Sequence, residues 1–421
     1  MNITILGAGI SGISAAYHLG LNGKHCVIFE KSDDWGGLCG NFNINGFRFD
    51  KFVHLSFADD PYIKELFASQ TPLYEHPSLC YNYYKGFWLK HPAQNNLAPL
   101  PNDEKVKIIT DFISRPKKKA IKSYDEWLIC QYGEYFAKNF PFKYTRKYWC
   151  QEPSKLETKW IGARMYQPSL EQILKGSFEV QKDNFYYTNF MRYPKNGGFA
   201  SFFAKCKQDL NINFNKEVIK INPKDKILYF SDNTTQNYDK LISSLPLPYI
   251  AQIIDNVPKN VLLAAQALRY TSGFMLSLGF NRPNIPKWLW FYIYDDDILC
   301  SRVHSPSLKS PNNAPKGCSS LQAEIYFDCK AKIPDKNLIA KNTIEKLSKM
   351  GLFAKSDIIL SDIRFEKYAN ITFDHKIYKN RKIVLDFLAK NGIESIGRFG
   401  KWEYLWSHQA FKSGMEVALK F

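Results

Sequence analysis

Ile3-Thr4-Ile5-Leu6-Gly7-Ala8-Gly9-Ile10-Ser11-Gly12-Ile13 stands near the start of the chain, and its reading decides the fold. The β-branched and aliphatic run Ile3–Leu6 reads as a buried strand. Gly7, Gly9 and Gly12 follow at G-x-G-x-x-G spacing, and residues 13–21 read as a helix. Gly7 permits the tight turn from strand to helix, Gly9 lets the backbone approach a pyrophosphate, and Gly12 allows the helix to lie close on the sheet. The helix start, with Ile10 and Ser11, offers free N–H donors and the positive end of the helix dipole to phosphates. Cys26-Val27-Ile28-Phe29 is a second strand, and it ends in Glu30-Lys31. The Glu30 carboxylate falls where an acidic residue takes the ribose hydroxyls of an adenosine half. A glycine motif alone is a weak signal. Flanked by two strands, a helix and a terminal acid, it reads as a dinucleotide-binding βαβ unit; a plain glycine-rich turn leaves Glu30 without a role.

The chain has 421 residues, enough for two or three structural units with full cores. Its formal charge is +17, which suits nucleic acid, a membrane surface or anionic small molecules. The Lys and Arg residues are dispersed. The one dense run, Arg115-Pro116-Lys117-Lys118-Lys119, reads as a solvated face, and no nucleic-acid motif accompanies it. The nine cysteines stand singly, without C-x-x-C or metal-ligand spacing, so reduced thiols, no metal and a cytoplasmic location are expected. A signal peptide is not expected where the first strand begins at residue 3. No apolar run reaches the ~18 residues of a spanning helix. Trp288 to Tyr294 is aromatic but short, and reads as a strand lining a binding site.

Beyond the glycine loop, Asn41 to Asp50 alternates around Asn45-Gly46 as a hairpin. From Pro61 to about Leu174 the pattern is mainly helical, with candidate helices at 103–114, 124–139 and 170–176. A helix is expected over 200–210. A hairpin flanks Asn222-Pro223-Lys224-Asp225, with Val218 on its first strand, and a buried strand follows over 238–246. Strands over 274–280, 289–294, 298–304 and 320–327 make a separate antiparallel sheet. A helix over 336–350, a strand over 358–368 and a helix over 378–391 follow, the last stopped by Gly392. A short strand at 393–396 leads into Gly397-Arg398-Phe399-Gly400, and a last helix starts near Ser407.

Gly36-Gly37, in Glu30-Lys31-Ser32-Asp33-Asp34-Trp35-Gly36-Gly37-Leu38-Cys39-Gly40, favours FAD over NAD. That extension resembles the double-glycine signature of the FAD-dependent amine oxidase and protoporphyrinogen oxidase superfamily. There Gly37 and Leu38 would lie along the flavin's pyrophosphate and ribityl chain. Gly397-Arg398-Phe399-Gly400-Lys401-Trp402-Glu403-Tyr404 and the helix after it resemble the last FAD-contacting segment of UDP-galactopyranose mutases, the longer eukaryotic-type enzymes above all. Residues 368–398, Lys159-Trp160-Ile161-Gly162-Ala163-Arg164-Met165, and Arg302 after the aromatic strand agree in order.

The resemblance implies an α/β fold: a discontinuous Rossmann-type FAD-binding domain (1–60, 195–260, 365–421), an inserted helical subdomain (61–175) and an antiparallel-sheet substrate domain (176–194, 261–364). It implies reduced FAD attacking the anomeric carbon of a nucleotide sugar through N5, with ring opening and reclosure and no net redox change. Arg164 and Arg302 would hold the departing diphosphate. Tyr368 and Tyr404 would hydrogen-bond it, Arg398 would lie near flavin and sugar, and His54 would lie against the flavin ring. Val218, Gly397, Arg398 and Gln409 would join the cofactor contacts. NAD(P)H or another reductant, an NDP-sugar and a homo-oligomer are the implied partners; no nucleic acid and no stable membrane insertion are expected. The mutases usually carry glycines before the loop histidine, where this chain has Lys51-Phe52-Val53-His54. An oxidase or dehydrogenase of the same superfamily and a flavin-binding protein without turnover are the alternatives.

Overall fold

The computed structural model describes residues 1–117, 120–185 and 190–421; Lys118 and Lys119 of the basic run, and residues 186–189 of the expected substrate domain, lie outside them. A five-stranded parallel sheet runs in the order Ile393–Ser395, Lys240–Ser243, Ile3–Leu6, Cys26–Phe29, Asn211–Asn213. Ile3–Leu6 is buried throughout, as a central parallel strand covered on both faces must be. Helices Ile10–Leu21 and Ser407–Ala418 cover one face together. A three-stranded antiparallel sheet, Val218–Asn222, Ile227–Phe230 and Thr235–Asn237, lies against the other, where the Phe29 and Phe230 rings stand 4.6 Å apart.

The second sheet has seven strands, in the order Ile358–Ile371, Tyr270–Phe280, Ser319–Asp328, Arg302–His304, Trp290–Ile293, Tyr81–Tyr84, Phe87–Lys90. Neighbours are antiparallel, except that Trp290–Ile293 pairs parallel with Tyr81–Tyr84. Helices Asn102–Ser114, Tyr124–Tyr132, Glu134–Asn139 and Pro141–Tyr148 form a third layer. The 124–139 stretch breaks at Gly133, φ 83°, where a Cβ would come within 2.6 Å of the Asp111 carboxylate. That carboxylate accepts from the Tyr135 N–H instead.

Two expectations are corrected. Residues 73–90 are not helical: Leu73–Pro77 pairs with Phe190–Pro194, and the hairpin of Tyr81–Tyr84 and Phe87–Lys90 extends the large sheet. Lys85 and Gly86 take the positive φ that a tight hairpin turn requires. The expected helix over 200–210 is two 3₁₀ turns, Phe199–Phe203 and Lys205–Lys207. Phe199, Phe202 and Phe203 are all fully buried, and a three-residue turn stacks the first two on one side. No helix among the described residues is long and apolar enough to cross a membrane.

Candidate functional site

Both sheets, the helical layer and the C-terminal turn face one cleft of about 860 Å³. Part of its lining is backbone. Gly7 turns the chain at φ 96°, and the Gly36 N–H donates to the Ala8 carbonyl at 2.8 Å. Gly9 and Gly37 then cross so closely that a Cβ on Gly37 would lie 3.1 Å from Gly9 Cα. Such a cradle leaves two chains of N–H groups facing a ligand with no side chain between them. Gly397, at φ 76°, closes the third side, where a Cβ would lie 2.4 Å from Ser11 Oγ. Glu30 Oε2 accepts from the Ala8 N–H at 2.8 Å, and Oε1 from the Ser32 N–H at 2.9 Å and its hydroxyl at 2.5 Å. The carboxylate is held in place and keeps part of its acceptor capacity for a ribose.

Gly7, Gly9, Ile10, Ser11, Glu30, Lys31, Gly37, Leu38, Val218, Gly397 and Arg398 all line the cleft. Gly12 and Gln409 do not. Gly12 is the packing glycine, since its Cβ would stand 1.9 Å from the Gly7 carbonyl oxygen. Gln409 turns back on its own helix start, accepting from the Trp406 N–H at 2.9 Å, while Ser407 and Ala410 beside it reach the cleft.

The rest of the lining is aromatic and cationic, and His54, Arg164, Arg302, Tyr368, Arg398 and Tyr404 all belong to it. The Arg164 guanidinium lies 4.7 Å from the Tyr404 ring and 4.9 Å from the Trp406 ring, and donates to the Trp160 and Tyr404 carbonyls at 3.0 and 2.8 Å. The Arg398 guanidinium lies 4.7 Å from that same Tyr404 ring, and donates to Leu405 O at 3.1 Å and Asn370 Oδ1 at 3.3 Å. Tyr148 donates to the same Asn370 oxygen at 2.7 Å, which fixes the orientation of the amide. Asn370 Nδ2, Arg398 Nε and Trp149 Nε1 are then buried donors in the cleft wall with no acceptor among the described residues. A ligand rich in acceptor oxygens satisfies such donors.

Arg302 differs from the other two. Its Nε pairs with fully buried Glu324 at short range, and Nη2 lies 3.4 Å from the Tyr326 hydroxyl. Burial opposes the Arg302 charge, and Glu324 overrides it, holding the guanidinium protonated. Burial also pushes His54 down to about 4, against the opposing pull of Asp50, so its imidazole is neutral. Asp50 ends the hairpin just before the His54 loop. Its carboxylate takes Lys309 at 2.5 Å, the Tyr193 hydroxyl at 2.7 Å and the Phe199 N–H at 2.9 Å, which anchors the loop from below.

Tyr148, Trp149, Glu324, Tyr326 and Asn370 escape the sequence reading, while Phe52 was singled out there only as a departure from glycine. Phe52 sits at φ 65°, the backbone a glycine there would take freely. Glu324 carried a usable signal, an acid inside the apolar strand Ser319–Asp328. The tyrosines and Trp149 look like ordinary core aromatics until the cleft is built.

Residues 5–69 match the NAD(P)-binding Rossmann-like domain family. Across 99% of this chain and 94% of the other, the structure superimposes on a reduced UDP-galactopyranose mutase at TM-score 0.93 and 24% identity. The fold is that of UDP-galactopyranose mutase. A putative protoporphyrinogen oxidase from Exiguobacterium sp. 255-15 shares it at TM-score 0.76 and 14% identity, over 100% of this chain and 98% of that one. Among curated proteins, the 4,4'-diapophytoene desaturases of Staphylococcus haemolyticus and Staphylococcus aureus are 35% and 33% identical over 75 residues. The chain matches only 15% of the length of these relatives, and 18% of its own. The mutase fold and the double-glycine cradle together fit FAD: one cleft of about 860 Å³ carries the glycine backbone and His54 in its wall.

Proposed function

We propose that this chain is a flavin-dependent mutase that interconverts the pyranose and furanose forms of an NDP-sugar. The carrying observation is that Arg164, Arg302, Arg398, Tyr368 and Tyr404 line the same cleft as the dinucleotide cradle. FAD in its reduced form supplies a nucleophilic ring nitrogen when bound. The chain's own residues do the rest. Arg164, stacked between Tyr404 and Trp406, presents a planar cation to a departing diphosphate. Tyr368 and Tyr404 add hydroxyl donors, and Asn370 an amide. Neutral His54 lies against the ring system without adding charge beside it. In this reading residues 1–60, 195–260 and 365–421 hold the cofactor, the 61–175 insertion supplies Arg164, and 176–194 with 261–364 supply Arg302. NAD(P)H is the expected reductant, the setting a cytoplasmic step of surface-glycan synthesis, and a homo-oligomer the expected state.

A second reading, an oxidase or desaturase acting on an apolar substrate, draws on the cleft wall. Tyr124, Tyr132, Phe136, Phe140, Trp160 and Tyr294 make it strongly aromatic beyond Arg164. One experiment separates the two. The purified yellow protein is reduced with dithionite without oxygen, incubated with a panel of nucleotide sugars, and the products are separated by chromatography. The mutase reading expects turnover only after reduction, with no reductant consumed in proportion to product. In a parallel aerobic assay without dithionite, stoichiometric hydrogen peroxide from an amine, porphyrinogen or polyene substrate, with no sugar isomerised under reduction, establishes the second reading instead.

A further inference from the structure

Both oxygens of Glu324 are committed, and they tie two parts of the site together. Oε1 accepts from the Val53 N–H at 2.6 Å, in the loop that carries His54. Oε2 takes Arg302 Nε and, at 2.5 Å, the Tyr326 hydroxyl. The carboxylate is fully buried behind the cleft wall, while the Arg302 side chain reaches the cleft. At such short range in a low-dielectric interior, a carboxylate cancels most of the field that its guanidinium partner projects further out. The strand pairing makes the arrangement permanent, because Arg302 and Glu324 are direct cross-strand partners.

We propose that Glu324 sets the anion selectivity of this site through Arg302. By masking the guanidinium it makes the cleft favour a nucleotide sugar, whose diphosphate carries about two negative charges, over a free nucleoside diphosphate, which carries about three. Without the mask, the extra cation rewards each added negative charge, and a released nucleoside diphosphate competes strongly with substrate. The proposal rests on the nucleotide-sugar reading above, deepens it, and gives Arg302 a part different from that of Arg164.

Glutamine at this position has one acceptor oxygen where glutamate has two. If that oxygen keeps Val53, its amide nitrogen faces Arg302 and the ion pair is lost. The experiment titrates FAD-loaded protein by calorimetry with uridine, UDP, UDP-galactose and inorganic pyrophosphate, for wild type, Glu324→Gln and the double variant Arg302→Gln/Glu324→Gln. Thermal melting and the flavin spectrum report folding. Glu324→Gln should bind UDP and pyrophosphate about tenfold more tightly, UDP-galactose only about threefold more tightly, and uridine as wild type does. The double variant removes both charges at once and should return UDP to within about threefold of wild type. Should Glu324→Gln not fold, the double variant decides alone: a loss near one hundredfold means that Arg302 acts unmasked, and overturns the proposal. An unchanged UDP to UDP-galactose ratio in Glu324→Gln, or a gain that persists without Arg302, overturns it too. Pyrophosphate needs no nucleotide pocket, so its gain without any nucleotide-sugar binding by wild type refutes the proposed function and leaves the masking intact.

Discussion

Phe52 shows at the residue scale what the site gives up and what it keeps. A bulky side chain at φ 65° costs on the order of 1–2 kcal/mol. Against that, the ring is buried, stacks 5.8 Å from Tyr326, and lies where a Cβ on Gly273 would come within 2.8 Å of it. Removing a buried ring costs about 3–5 kcal/mol, so packing outweighs strain. Phe52→Ala should lose about that much stability in urea unfolding, and Phe52→Gly about 1 kcal/mol less, because glycine accepts the positive φ. A glycine variant more stable than wild type would mean that the ring is no anchor. Arg164 gives a second test at this scale, since two of its donors go to the backbone carbonyl oxygens of Trp160 and Tyr404. On the mutase reading, Arg164→Ala should lower kcat/KM by ~30- to 1000-fold with flavin content unchanged, and Arg164→Lys should recover only part of the loss. Equal nucleoside-diphosphate affinity in wild type and Arg164→Ala would remove the main support for that reading.

Among the elements, the pair Ile10–Leu21 and Ser407–Ala418 decides whether the cradle exists. The two helices meet backbone to backbone: a Cβ on Gly414 would lie 2.3 Å from the Ser11 carbonyl oxygen and 2.8 Å from the Ala15 nitrogen. Ser413, the neighbour of Gly414, accepts from the Gly397 N–H at 2.8 Å and so holds the third side of the cradle. Gly414→Ala must push the helix outward and carry Gly397 with it. The variant should retain little FAD, read as flavin absorbance relative to protein absorbance. Gly20→Ala, in the same first helix but with nothing within 4 Å of its Cβ, should leave FAD content unchanged and stabilise by about 0.5–1 kcal/mol. Equal flavin loading in both variants would detach the helix contact from cofactor binding. Gly7, Gly9, Gly12 and the two flanking strands were legible because a glycine turn is local chemistry, written within some ten residues. The strand Leu73–Pro77 was not, because its partner Phe190–Pro194 lies more than a hundred residues away and neither segment alternates cleanly. Glu324 stood out as an acid in an apolar strand, but its partner did not: only the pairing of Arg302–His304 with Ser319–Asp328 sets it beside Arg302.

At the scale of the whole molecule, buried His304 and half-buried His54 and His91 stand where separate segments converge. His54 follows the hairpin that ends in Asp50, His91 follows the Phe87–Lys90 strand, and His304 ends the strand that carries Arg302. Burial lowers His54 and His91 from 6.5 to about 4, and His304 well below its ordinary value. A group with its folded pKa below the unfolded one is protonated first in the unfolded chain as pH falls. The stability these histidines permit is therefore complete above about pH 6.5 and is lost progressively down through about pH 4, by roughly 3 kcal/mol at most for His54 or His91. The net charge of +17 adds self-repulsion in the same direction, growing as carboxylates are neutralised. Because His54 and His91 line the cleft, acid should loosen it and release flavin along with the loss of stability. The melting temperature should stay level between about pH 8 and 7 and fall below about pH 6.5, with free flavin fluorescence rising over the same range. His54→Gln/His91→Gln, uncharged at every pH, should flatten that fall. A double variant that melts with the wild-type pH profile would assign the acid sensitivity to other groups, and His54 and His91 would then be spectators of the cleft.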